Sequence, residues 1–366
     1  MAGELKMRYV TPCFYYDFRC TADKCPSTCC SGWQISIDED TLEIYSKEKD
    51  DFGRILKKSI DWETGFFYQN NGRCAMLNDN NLCDLVIAKG EKFLCYTCNT
   101  YPRHIEEFEG VREFSLSLSC PVAAGLILNR TDKLAFKVEE DDMNDPLEAE
   151  FEEFDSVMYT QLLQVREYLF GIIQNRVISV DLRMSYIMDI AKKLQTAVDE
   201  QREICSVINN TNIVSLGDRY EKTKSAYEIF IELEVLREDW SQVIEELKKN
   251  LYDITSEEYY DVRKEFYNNF VAELSPERWE IFKEQLLMFW VYTYFCGAVY
   301  DDCVYSKMAL ATFSVCFIEE IIVSRWLGNG KRMTMEECIE ICYRYAREIE
   351  HSDENLNILE EIFDRK

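Results

Sequence analysis

From residue 147 onward, apolar residues recur at three- and four-residue spacing, segment after segment, near 147–175, 181–204, 219–251, 256–272, 276–298, 304–327, 334–350 and 353–364. That period lays the apolar side chains along one stripe of an α-helix. Pro is scarce at 6 and Gly at 13 in 366 residues, which favours helix over an all-β fold. Thr255-Ser256-Glu257-Glu258 and Thr334-Met335-Glu336-Glu337 have the polar starts expected of helix N-termini. No fixed repeat of the kind that marks a solenoid is present. A hydrophobic content of 47% supplies a sizeable core, and the length suits two domains or one with a large appendage.

The formal net charge is -27. Such a chain repels nucleic acid and anionic membranes, which bind basic patches. It suits a lysine-presenting partner, or simply solubility. The start, MAGELKMRYVTPCFYYDF, has no apolar h-region and no small-residue cleavage site. The longest apolar stretch, LLMFWVYTYFCGAVY at 286–300, is too short to span a bilayer and reads as a buried helix. The expected location is cytoplasmic, with no membrane contact. The acidic stretch VEEDDMNDPLEAEFEEFD at 138–155 reads as a linker leading into a helix, with Asp145 capping and Pro146 at the first position.

Sixteen cysteines need an explanation in a compartment where disulfides are rare. Ten fall early, at Cys13, Cys20, Cys25, Cys29, Cys30, Cys74, Cys83, Cys95, Cys98 and Cys120, and mark an N-terminal module. The later six, Cys205, Cys296, Cys303, Cys316, Cys338 and Cys342, sit on apolar helical faces as small buried hydrophobes. Within the module, WQISID (Trp33 to Asp38) alternates like a short strand, and Thr41 is placed to cap the helix that follows. HIEEFEGVREFSLSLS reads as a hairpin turning near Glu109-Gly110, and Ser119-Cys120-Pro121 as the start of a helix ending near Asn129.

The early spacing is Cys20-x4-Cys25-x3-Cys29-Cys30, then Cys74-x8-Cys83-x11-Cys95-x2-Cys98, then Cys120. A disulfide framework does not suit a long chain of this kind. Structural zinc usually takes two CxxC-like knuckles, and this chain has one. The runs of the common ferredoxins are absent. The pattern points to a metal and leaves open which one. Adjacent Cys29 and Cys30 diverge in any regular element, so both cannot easily reach one ion.

CPSTCCSGWQISID, GRCAMLNDNNLCDL, CYTCNTYPR and SLSLSCPVAAGLIL occur in that order. Together they resemble the flagellin lysine-N-methylase (FliB-type) family, over residues 15 to about 130. The shorter core, from CC through RCAMLNDNNLC to CNTYP, is also similar to small zinc- or iron-chelating cysteine domains. The chain departs from the pattern at Asn99, where arginine is common, and at Ala75, where proline is common. The resemblance implies methyl transfer from S-adenosyl-L-methionine to surface lysines of flagellin or another lysine-presenting protein. It also implies a four-iron, four-sulfur cluster, with zinc as the alternative metal. The matching positions offer Cys25, Cys29, Cys30, Cys74, Cys83 and Cys98 as ligands, more than one cluster needs, with Cys95, Cys20 and Cys120 as alternates.

Lysine must be neutral to act as a nucleophile, and free lysine titrates near about 10.4. A site for this reaction has to desolvate the amine or supply a base. The sulfonium donor is a cation, and aromatic faces attract cations. Trp33, Tyr96, Tyr101, Tyr292 and Tyr294 are candidates for such walls, or else core filling. Arg103 is a candidate for holding a carboxylate, and His104 for a ligand. The sequence identifies no catalytic base and no Gly-rich donor-binding loop. The expectation is a mainly α protein, with an N-terminal cysteine-rich α+β metal-binding module at 1–130 and a helical domain at 131–366. The competing expectations are a non-catalytic helical interaction protein built around a structural zinc or iron site, and a metal-trafficking or redox-sensing protein.

Overall fold

The computed structural model describes residues 7–141, 154–208 and 218–364. Strand β1 (Met7–Pro12) opens the chain. Helix α1 (Glu39–Lys47) is capped by Asp38, whose carboxylate accepts from Thr41 N at 3.0 Å. Helix α2 (Asp51–Ser59) is capped in the same way by Asp50. Two minimal strand pairs follow, β2 (Ile60–Asp61) with β3 (Phe66–Phe67) and β4 (Gln69–Asn70) with β5 (Arg73–Cys74). Then come α3 (Asp84–Lys89), α4 (Tyr96–Thr100), the hairpin β6 (Arg103–Phe108) and β7 (Val111–Leu116), α5 (Pro121–Leu128) and β8 (Phe136–Asp141). The main sheet has the order β6-β7-β1-β8, with β1 parallel to β7 and the other pairs antiparallel. Gly110, at φ +69°, takes the left-handed turn between β6 and β7 that a side chain would resist.

The rest is helical: α6 (Ser156–Ile173), α7 (Val180–Asp199), α8 (Arg219–Phe230), α9 (Glu238–Leu247), α10 (Ser256–Phe266), α11 (Ala272–Leu274), α12 (Pro276–Tyr294), α13 (Val304–Gly328), α14 (Met335–Glu350) and α15 (Asp353–Asp364). Capping boxes open α10 at Thr255 with Glu258 and α14 at Thr334 with Glu337. Helix α13 runs through the bundle and touches α7, α8, α9, α10, α12, α14 and α15. No helix among the described residues is long and apolar enough to cross a membrane.

Several local expectations change. Trp33 to Asp38 is not a strand; only isolated bridges at Ser31 and Ser36 tie this stretch to Arg73 and Phe66. Asp38, not Thr41, caps α1. The acidic stretch from 138 begins as the end of β8, an edge strand whose side chains face solvent while its backbone pairs with β1. Charge on such an edge blocks further pairing. The proposed cap at Asp145 and Pro146 lies outside the described residues, and Asp155 caps the helix that follows. The span 219–251 is not one helix: it breaks between α8 and α9, where Glu348 accepts from Leu236 N at 2.8 Å and Asn355 accepts from Glu234 N at 2.8 Å.

There are two hydrophobic cores. The larger joins the sheet, through Val10, Phe108, Val111 and Leu116, to the helices around Trp279, Trp290 and Trp326. The smaller is confined to residues 35–98 and includes Ile35, Tyr45, Leu56, Phe67, Met76, Cys74 and Cys95. The protein is therefore mainly α with an N-terminal α+β region. That region closes on apolar packing and is not a metal module, as shown below.

Most buried charges are paired. On α13, Glu319 and Glu320 meet Arg263 at 3.1 and 2.7 Å, and Arg219 and Tyr259 also bond this pair. Burial pushes the Glu319 carboxyl up, but Lys283, Arg219 and Arg263 outweigh it and hold it well below its ordinary range. Between sheet and bundle, Arg166 of α6 makes a two-pronged pair with Glu113 of β7, both almost fully buried, one prong at 2.6 Å. Truncating one partner strands the other charge in the core. Glu113→Ala should lower the unfolding free energy by about 3–5 kcal/mol in denaturant melts. A loss below about 1 kcal/mol, the worth of an exposed pair, would show that this contact does not join sheet to bundle.

Candidate functional site

All sixteen cysteines are free thiols. Cys30, Cys74, Cys83 and Cys98 line one enclosed apolar cavity with Ile35, Tyr45, Phe67, Met76, Leu85 and Leu94. The space between them is about 10 Å3, room for one water at most. The thiols are engaged in pairs: Cys29 hydrogen-bonds Cys30, and Cys95 hydrogen-bonds Cys98. Cys25 stands apart and donates to Ser27 O at 3.2 Å. Among the described residues, no group of three or more His, Cys, Asp or Glu side chains is placed to hold a metal ion. The metal expectation for Cys25, Cys29, Cys30, Cys74, Cys83 and Cys98, as iron–sulfur cluster or zinc site, is thereby overturned. Burial accounts for Cys74 and Cys83, pushing the first up to about 12 and raising the second, and such neutral thiols pack as small hydrophobes; the Cys29 hydrogen bond lowers Cys30 to about 7 and the Cys98 hydrogen bond lowers Cys95.

The chemistry gathers elsewhere, where the N-terminal region meets the last turn of α14. Its floor is the turn Ser117-Leu118-Ser119 between β7 and α5, anchored by fully buried Leu118 and by Ser117 N donating to Pro102 O at 2.8 Å. Above it stand Glu350 and His351, which end α14. Glu350 Oε2 accepts from Ser117 Oγ at 3.0 Å and Ser119 N at 3.2 Å, and Oε1 accepts from Tyr294 OH at 3.2 Å. Ser119 Oγ lies 3.0 Å from Tyr101 OH and 2.9 Å from His351 Nε2. Trp33 stacks on the His351 ring at 4.7 Å and lies 5.6 Å from the Tyr101 ring. One turn back on α14, Arg347 donates to Ser119 O and Ser27 O, both at 2.8 Å. Trp33, Tyr101, Tyr294, Glu350 and His351 are each half-buried.

Burial pushes the Glu350 carboxyl up to about 7, against the lowering influence of the Ser117 and Tyr294 hydrogen bonds and the charge of His104. Burial, aided by the Arg347 charge, pushes His351 down to about 3. At neutral pH the imidazole is therefore uncharged, and Glu350 is poised to gain or lose a proton. Tyr294 is raised well above its ordinary value, chiefly by burial, and stays a donor. A carboxyl raised in this way can take up and release a proton near neutral pH, and the Trp33, Tyr101 and His351 rings cluster beside the Ser119 turn that it bonds.

Of the aromatic candidates, Trp33, Tyr101 and Tyr294 meet here. Tyr292 does not: it is core, donating to Phe114 O at 3.0 Å. Tyr96 is 63% exposed and away from the site. Arg103 lies over the Phe18 ring at 5.2 Å, and exposed His104 pairs with Glu106 at 3.0 Å. The sequence pointed to no chemical role for Ser117, Arg347, Glu350 or His351, and placed Ser119 only at the start of a helix. The one available signal was His351 itself, one of only two histidines, directly beside a carboxylate.

Residues 166–366, more than half of the chain, match the FliB lysine N-methylase C-terminal domain. The chain belongs to that family. The match includes Tyr294, Arg347, Glu350 and His351, and so the half of the site that carries the carboxylate. The chain is similar to flagellar biosynthetic protein FliU of Salmonella muenchen, 31% identical over 133 residues, which cover 34% of this chain and 79% of that protein. It is equally similar, at 31% over 133 residues, to the lysine-N-methylases of Salmonella choleraesuis (strain SC-B67) and Salmonella typhimurium (strain LT2). There the match spans only 33% of the relative's length. No solved structure matches the chain.

The folded-state value of Glu350 lies above its ordinary 4.5, so the folded protein keeps a proton that the unfolded chain has released. The resulting stability is complete below about pH 4.5 and lost as pH rises through about 7. Glu350→Gln removes this titration and leaves others, including that of Glu348, in place. Between those two pH values the wild type should lose up to roughly 3 kcal/mol more unfolding free energy than the variant. Parallel pH profiles in denaturant melts would contradict the assignment.

Proposed function

We propose that the chain is a protein-lysine N-methyltransferase that uses S-adenosyl-L-methionine, with Glu350 as the base in the site formed with Trp33, Tyr101, Tyr294 and His351. Family membership and the names of the lysine-N-methylase relatives support this reading. The observation that carries it is the Glu350 carboxyl, raised to about 7 and bonded to Ser117, Ser119 and Tyr294, next to the stack of Trp33 on His351.

A lysine enters as an ammonium and is drawn by the carboxylate and the rings. The proton moves from the ε-nitrogen to Glu350, whose value lies close enough to working pH to take it and release it again. The nitrogen lone pair then attacks the methyl carbon of the donor. The new N–C bond forms as the S–C bond breaks, and the sulfonium becomes a neutral thioether. The charge moves to the methylated ammonium. Neutral His351 adds no repulsion to either cation. The partner is a lysine-presenting protein, and the flagellar name of one relative makes flagellin the first to test. The net charge of -27 favours such a basic surface.

With methyl-labelled S-adenosyl-L-methionine and flagellin, label should appear on lysine side chains. Glu350→Gln should lower kcat by about 10²–10⁴, the usual worth of a positioned base, and Trp33→Ala should act mainly on KM. No transfer to any lysine, or full activity in Glu350→Gln, would overturn the reading.

A further inference from the structure

Two residues before Glu350, on the opposite side of α14, a second carboxylate faces a cavity of about 300 Å3. The cavity opens where the chain breaks between α8 and α9. Tyr227, Phe230 and Trp240 form aromatic walls, Glu234 and Glu245 stand at its edge, and Glu348 lies at its base. Phe230 and Trp240 are 6.0 Å apart between ring centroids.

Glu348 is 1% exposed. Its Oε2 accepts from Leu236 N at 2.8 Å, while its Oε1 has no hydrogen-bond partner among the described residues. The guanidinium groups nearby do not fill the gap. Arg344 donates to Asp239 at 2.7 Å and Arg237 to the same carboxylate at 3.3 Å. The wall is held in place by Asn355, which donates to Glu234 O at 2.9 Å and Glu348 O at 2.7 Å. An unpaired buried carboxylate oxygen is costly unless something supplies a donor. Here that oxygen belongs to a cavity with aromatic walls and two further acidic groups. These features select a small cation carrying N–H donors. The size is at the lower end of ligand pockets and suits a single aliphatic chain.

We propose that this cavity binds an alkylammonium group of the size of a lysine side chain, with Glu348 as counter-charge and Phe230 and Trp240 as walls. The occupant is a primary or partly methylated amine, because Glu348 needs an N–H donor. The site is separate from the one around Glu350 and stands whether or not that site transfers methyl groups. It gives a lysine-bearing partner a second point of attachment.

The test is calorimetric titration of the full chain with n-butylammonium, in the Glu350→Gln background so that the other site contributes little. Saturable binding up to about 10 mM is expected, the range of a single charged contact. The neutral isostere n-butanol should bind at least tenfold more weakly, and adding Glu348→Gln should weaken butylammonium by at least tenfold. If the Glu348→Gln protein does not fold, the comparison of ammonium with alcohol still decides. Equal binding of the two probes, unchanged binding without the Glu348 charge, or no saturable binding would each overturn the proposal.

Discussion

The contact between the last turn of α14 and the turn Ser117-Leu118-Ser119 holds the molecule's functional parts in register. Arg347 ties that turn and Ser27 to the helix, at 2.8 Å to each carbonyl. Guanidinium is well suited to this, since its fixed fork of donors satisfies several carbonyls at once. Glu350 reaches the same turn from the next position round the helix, and His351 closes it through Ser119. Without this clasp the aromatic side chains of the N-terminal region and the carboxylate of the bundle would have no common site. The ion pair of Arg166 with Glu113 performs the corresponding task between sheet and bundle.

Electrostatics divides the buried carboxylates into two groups. Glu319, Glu320, Glu284 and Glu113 are met by arginines or a lysine and serve the fold. Among the described residues Glu348 and Glu350 have no such direct partner, and burial raises both to about 7. Two residues apart on a helix, their side chains leave on nearly opposite sides. One helix end thus carries two raised carboxyls, one lining the cavity between α8 and α9 and one bonded to Ser117, Ser119 and Tyr294.

The helical part of the fold was legible because its signals are local. Period, caps and scarcity of breakers gave α13, α14 and α15 within a residue and the start of α12, whose end falls four residues earlier than expected, and the hairpin at Gly110 was legible from its turn residue. The break between α8 and α9 was not, because Glu348 and Asn355, more than a hundred positions away, hold it open. The cysteines misled for a related reason. Their spacing is compatible with a ligand set, but whether thiols converge on an ion or pair off in an apolar core is decided by packing. Trp33, Tyr101 and Tyr294 were visible as aromatic candidates, while Glu350 was one acid among 68 Asp and Glu. Only burial beside Tyr294 and Ser117 distinguishes it.

The proposed role of Glu350 as the base of a lysine-methylating site is open to direct test through the pH profile of kcat/KM for methyl transfer, in the wild type and in Glu350→Gln. The wild type should show a rising limb with a midpoint near the Glu350 value of about 7 that is absent from the variant's residual activity. A wild-type profile without that limb, or the same limb in Glu350→Gln, would contradict it.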